Sequence, residues 1–98
     1  MKQRWSCTKA VPASHPALPG HFPGRPLVPG VLLLEVLATT LETRVGGHIA
    51  CIKEVKFLHP LQPDETAEWH VEVDGRQVGF EVTRAAEQIA RGRVELAA

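Results

Sequence analysis

The sequence predicts an α+β fold in which a curved antiparallel β-sheet wraps around one central, buried α-helix. Three observations carry that expectation. There is a single convincing helix, running from about Pro29 or Gly30 to Arg44 and apolar around most of its circumference. The half of the chain after it alternates apolar and polar residues at strand period, broken by turn residues. One such break, Asp74-Gly75, is the strongest hairpin signal in the chain. A small sheet curled around the helix is the economical way to bury that helix on most sides.

Taken in order, residues 3–11 alternate with Trp5, Cys7 and Val11 as inward candidates, giving a first strand that Pro12 ends. A proline-rich loop follows through His15-Pro16 and Pro19-Gly20. Pro29 stands where a first helical turn tolerates it, because the N–H it lacks would be unpaired there. Within the helix Leu33, Leu34, Leu37, Ala38 and Leu41 recur at helical spacing, and Gly46-Gly47 is a strong stop. A strand at 48–58 has Ile49, Cys51, Val55 and Phe57 on one face, with Lys53 as the exception. Ala67, Trp69, Val71 and Val73 alternate cleanly with Glu68, His70 and Glu72, the mark of a half-buried strand. Val78, Phe80 and Val82 continue the pattern, and a last strand spans 88–97. The expected order is one strand, a long loop, one helix, then a meander of about four strands. A sheet this small leaves an edge open, and pairing of edges between two copies is the expected remedy.

Residues 1–98 form one domain, and the composition, 44% apolar with 22% charged, is that of a globular chain and not a disordered one. Net charge is zero with both signs mixed along the chain, so no electrostatic case exists for nucleic acid or an anionic membrane. Cys7 and Cys51 are too few for a disulfide framework or a zinc finger and read as reduced thiols. No apolar segment follows Lys2 and Arg4, and the run from Val31 to Ala38, interrupted by Glu35, is too short to span a bilayer. The expected location is the cytoplasm.

The chemistry concentrates before and inside the helix. Three prolines and two glycines between Pro23 and Gly30 forbid regular structure there. His21 precedes this rigid stretch and Glu35 lies just inside the apolar run after it, and these are the residue types most used for proton transfer near neutral pH. Placed amid leucines, Glu35 is expected to have its charged form disfavoured by desolvation, making it a better proton donor.

The stretch His21-Phe-Pro-Gly-x-Pro-x-x-Pro-Gly-Val-Leu-x-x-Glu35 resembles the β-hydroxyacyl-acyl-carrier-protein dehydratases, the FabZ/FabA type of hotdog-fold protein. Weaker likeness extends along nearly the whole chain: His15-Pro16 through His21, and Phe57-Leu-His-Pro60-Leu-Gln-Pro63-Asp64, where the family's glycine is missing. The resemblance implies a single hotdog fold and a catalytic base, His21, that removes the proton α to a thioester carbonyl. It implies that Glu35, from the second subunit of a dimer, helps protonate or orient the departing β-hydroxyl. The Gly30 N–H would hydrogen-bond the thioester carbonyl, with Val31 and Thr39 as further substrate-binding positions. The substrate would be a 3-hydroxyacyl chain on the 4'-phosphopantetheine of acyl carrier protein, dehydrated to the trans-2-enoyl thioester in fatty-acid or polyene, pigment or polyketide biosynthesis. No metal and no bound cofactor are implied. Acyl carrier protein is the implied partner, and the assembly a homodimer or a trimer of such dimers.

The chain departs from the family pattern at Thr39, where the family usually has glutamine four residues after the acid. Two other readings stand beside dehydration: a hotdog thioesterase or enoyl isomerase, and a non-catalytic partner subunit of a heteromeric dehydratase. Retention of both His21 and Glu35 argues against the latter, and a base aimed at an α-carbon argues against hydrolysis. His15, His48, His59 and His70 show no metal-ligand spacing and read as structural or exposed. Trp5 and Trp69 read as core or interface, and Arg25 as an exposed loop residue that would touch a carrier protein only in the less common case.

Overall fold

Apolar alternation and turn chemistry build the observed elements close to where the pattern puts them. The computed structural model describes residues 2–12, 14, 28 and 30–98. Strand β1 spans Lys2–Lys9, helix α1 Gly30–Val45, β2 Ile49–Phe57, β3 Ala67–Asp74, β4 Gln77–Arg84 and β5 Glu87–Leu96. The five strands form one antiparallel sheet in the order β1-β3-β4-β5-β2.

The expected meander is only partly right, because β2 pairs with β5 and not with β3. The segment 58–66 leaves β2 along β5, where the Leu58 and His59 N–H groups both donate to the Ile89 carbonyl (2.8 and 3.2 Å). That carbonyl is free to accept because the β4–β5 register slips between Val82 and Thr83, leaving Ile89 as the extra residue. The chain then crosses to β3, whose other neighbour is β1. Thus β1 and β2 are the two edges of the sheet.

The inner face is continuous across the middle strands: Trp69 and Val71 on β3, Val78 and Val82 on β4, Val94 and Leu96 on β5 are all buried. Against it lies one side of α1, through Leu32, Leu33, Leu37 and Leu41. Two indoles fix the helix on the sheet. Trp69 Nε1 donates to the Leu33 carbonyl (3.1 Å), and Trp5 Nε1 donates to Thr40 Oγ1 (2.9 Å). The Arg44 guanidinium sits 5.8 Å from the Trp5 ring centroid, within cation–π range. Gly46 ends the helix at φ +67°, with its N–H on the Glu42 carbonyl (3.0 Å).

The helix packs on the curved sheet as expected, and one stripe of it, through Val31 (66% exposed), Glu35, Thr39 and Glu42, is exposed. One expectation about burial needs correction. In β2 the apolar residues do not follow a simple alternation, because bulges fall at Ala50 and Lys53. Each bulge inserts one residue, so the core-side positions become Ile49, Ile52, Val55 and Phe57, opposite Leu96, Val94, Gly92 and Ala90. Cys51 turns to the outer face opposite Glu95, and the anomaly at Lys53 is the second bulge itself.

Candidate active site

Helix α1 carries every described residue expected at the site: Gly30 and Val31 in its first turn, then Glu35 and, one turn on, Thr39. Glu35 and Thr39 share the open stripe of the helix and line a groove of about 390 Å³ between α1 and the end of β1. Its floor is apolar, with Leu32, Val36 and Val11, and Cys7 and Lys9 stand on the β1 side. Thr39 Oγ1 donates to the Glu35 carbonyl (3.0 Å), which commits its hydroxyl proton to the helix backbone and leaves only its lone pairs for a ligand. The side chain of Glu35 is exposed in the single chain, so the expected desolvation by surrounding leucines is not met there. Those leucines point the other way, into the sheet.

His21, the expected base, and Arg25 lie outside the described residues, as do residues 15–27 as a whole. Position 28 re-enters the description with Val28 buried and its N–H on the Leu61 carbonyl (2.8 Å).

Gly30 is a glycine for a reason inside the chain. A Cβ built there would lie 2.6 and 2.7 Å from Cζ and Cε1 of Phe57, so the ring rests against the bare Cα. The phenylalanine comes from the Phe-x-x-Pro motif, and its packing on the helix start is not visible in spacing alone. The same motif explains its missing glycine: Asp64 adopts φ +67°, the left-handed conformation that glycine takes most easily.

Two further histidines are accounted for by pairing. His70 Nε2 lies 3.0 Å from Glu68 and 3.2 Å from Thr83 Oγ1, and His59 Nδ1 lies 3.5 Å from Glu87. Among the described residues no cluster of His, Cys, Asp or Glu could hold a metal ion. A larger hollow, about 960 Å³, lies on the outer sheet face, where Gly79 leaves a gap between Glu72 and Arg93. It is shallow and edged by charges already paired to one another, as in Arg4–Glu72 (2.9 Å), so the smaller groove beside Glu35 is the better site.

Among the described residues, a curved antiparallel sheet packed on a single helix has the architecture of a hotdog-fold protein. Solved structures agree. The dehydratase heterocomplex ApeI:P from Xenorhabdus doucetiae aligns over 100% of this chain and 95% of its own, with a TM-score of 0.87 at 22% identity. The fluoroacetyl-CoA thioesterase FlK shares the fold at a TM-score of 0.64 and 17% identity, over 97% and 84% of the two chains. Residues 1–93 match the ApeI-like family, described as ApeI dehydratase, and the chain belongs to that family. The 3-hydroxyacyl-[acyl-carrier-protein] dehydratase FabZ of Haemophilus influenzae (strain PittEE) is 39% identical over 75 residues, 66% of this chain and 51% of its own. The FabZ of Thermomicrobium roseum is 34% identical over 94 residues, 85% of this chain and 63% of its own. The chain thus spans about half the length of the Haemophilus relative.

Proposed function

We propose that the chain eliminates water from a 3-hydroxyacyl thioester carried on the 4'-phosphopantetheine of acyl carrier protein, giving the trans-2-enoyl thioester. The observation that carries the reading is Glu35 on the open stripe of α1, beside an apolar groove and little more than one turn from the helix N-terminus at Gly30. His21 takes the α-proton. The electron pair of that C–H bond becomes the new C=C bond as the β-carbon–oxygen bond breaks. The departing hydroxyl takes a proton from Glu35 and leaves as water. Charge rising on the thioester carbonyl meets the Gly30 N–H at the positive end of the helix dipole. Val31 and Thr39 border the acyl chain.

Glu35 serves the partner's His21 in a dimer built on the β2 edge. Ile52 and Phe57 of that edge and the adjacent Leu58 are 53%, 54% and 43% exposed, an apolar margin on a strand with one unpaired side. A dimer across this edge would cover that apolar margin. Cys7 and Cys51 are free thiols, in keeping with action in the reducing cytoplasm. No described helix is long and apolar enough to cross a membrane.

A second reading is a subunit of a mixed dehydratase, favoured by the neighbour ApeI:P being a heterocomplex. One experiment separates the two. The purified chain is given 3-hydroxyacyl-carrier-protein substrates of several lengths, and the products are weighed by mass spectrometry, with His21→Ala and Glu35→Gln alongside. Loss of water that needs both residues supports the homomeric enzyme. A folded chain that acts only after a second hotdog protein is added supports the mixed one.

A further inference from the structure

The N-terminus of α1 is held at two points by the segment that follows β2. Val28 donates its N–H to the Leu61 carbonyl (2.8 Å), and the Phe57 ring lies against Gly30. Leu61 is itself immobilised, being 1% exposed, and the peptide groups on both sides of it are bound by a single ion pair. On one side the Pro60 carbonyl accepts from Arg84 Nη1 (2.9 Å). On the other the Gln62 N–H donates to Glu65 Oε1 (2.8 Å), and that same oxygen accepts from Arg84 Nη1 (2.8 Å). The second guanidinium nitrogen binds Glu87 across the β4–β5 turn, so the clamp is anchored on the sheet.

From this geometry we infer that Arg84, acting with Glu65, is a positioning residue that sets where the helix N-terminus presents the Gly30 N–H. Arg84 touches neither helix nor groove. It acts through Leu61, whose carbonyl it fixes by holding the peptides before and after it. A planar guanidinium with donors on two nitrogens can span Pro60, Glu65 and Glu87 at once, which a lysine ammonium cannot. The inference rests on the dehydratase reading for its catalytic consequence but not for its structural one. An oxyanion donor displaced by even a fraction of an ångström loses much of its effect on rate while substrate binding changes little.

The test compares Arg84→Ala, Glu65→Ala and Glu65→Gln with the unmodified protein, by amide hydrogen exchange and by dehydration kinetics per folded molecule. In Arg84→Ala and Glu65→Ala the Val28 amide should exchange at least about tenfold faster, with the β3 and β4 amides unchanged. The corresponding kcat should fall about tenfold with KM within about twofold. Glu65→Gln keeps the acceptor oxygen and should restore both. Unchanged exchange at Val28 overturns the clamp, and so does a uniform rise over all strands, which would make Arg84 a general stabiliser. Faster local exchange with unaltered kcat overturns its catalytic role. If the unmodified protein dehydrates nothing, the dehydratase reading fails while the exchange data still decide the clamp.

Discussion

Substituting Gly92 by alanine tests the packing of β2 on β5. Gly92 lies in mid-strand opposite Val55 and Phe80. A Cβ there would stand 2.2 Å from the Glu54 carbonyl oxygen, 3.0 Å from Val55 Cα and 3.1 Å from Phe80 Cε1. Two of those three atoms are backbone, so relief requires β2 to move by about 1 Å, well beyond a rotamer change. Overpacking of this kind costs about 1–3 kcal/mol, and the backbone at 2.2 Å argues for the upper half. Replacing a strand glycine returns about 0.5–1 kcal/mol of chain entropy. The net expectation is a loss of about 2 kcal/mol, or roughly 8–16 °C in Tm for a domain of this size. Thermal unfolding followed by circular dichroism measures it, and Gly79→Ala in β4 is the matched control. Gly79 is also a strand glycine, but a Cβ there meets nothing, so its Tm should hold or rise slightly. Equal Tm changes in the two variants, or none in Gly92→Ala, would refute the argument.

Three more predictions follow from single contacts. Ala85 sits at φ +48° in the β4–β5 turn, so Ala85→Gly should add about 1 kcal/mol in a urea titration. Thr40→Val keeps the side chain's shape but removes the acceptor for the Trp5 indole N–H, costing about 1 kcal/mol in the same assay, whereas Thr43→Val should cost nothing measurable. Glu95 is held below the ordinary carboxylate range by the hydrogen bond from Lys53 (3.0 Å) and by its charge, and the Lys53 ammonium is raised in turn. A depressed carboxylate stabilises the fold above its unfolded value of 4.5 and loses that contribution as pH falls through its folded value. The stability gap between the unmodified protein and Glu95→Gln should therefore be present at pH 7, shrink as pH falls below 4.5, and shrink in high salt.

The helix and the β3–β4 hairpin were legible because each rests on local chemistry. Gly46 stops α1 by accepting a positive φ, and Gly75 turns the hairpin at φ +63° for the same reason. The alternation from Ala67 to Val73 reports a strand that is buried on one face throughout. Strand order was less legible, since what sends β2 to β5 is the Ile89 carbonyl and the pairing partners themselves, which no single strand encodes. The faces of β2 misled for a related reason: Ile49, Ile52 and Val55 are three apart because of the bulges, a spacing that mimics neither strand nor helix cleanly. At the candidate site, Gly30, Glu35 and Thr39 were singled out through a family pattern, but their surroundings were not legible. Phe57 against Gly30 and Arg84 behind Leu61 are contacts between residues far apart in the chain. The open stripe around Glu35 was hidden because a run of leucines looks the same whether one side or every side of the helix is covered.

The most direct test of the account is single-turnover dehydration of a 3-hydroxyacyl chain on acyl carrier protein, read by the loss of one water in the mass spectrum. The account predicts product with the unmodified protein, none with His21→Ala or with Glu35→Gln, and recovered turnover when those two inactive variants are mixed. If base and acid come from different subunits, each mixed dimer holds one intact site. Full activity in Glu35→Gln, or no recovery from mixed variants that demonstrably exchange subunits, would contradict it.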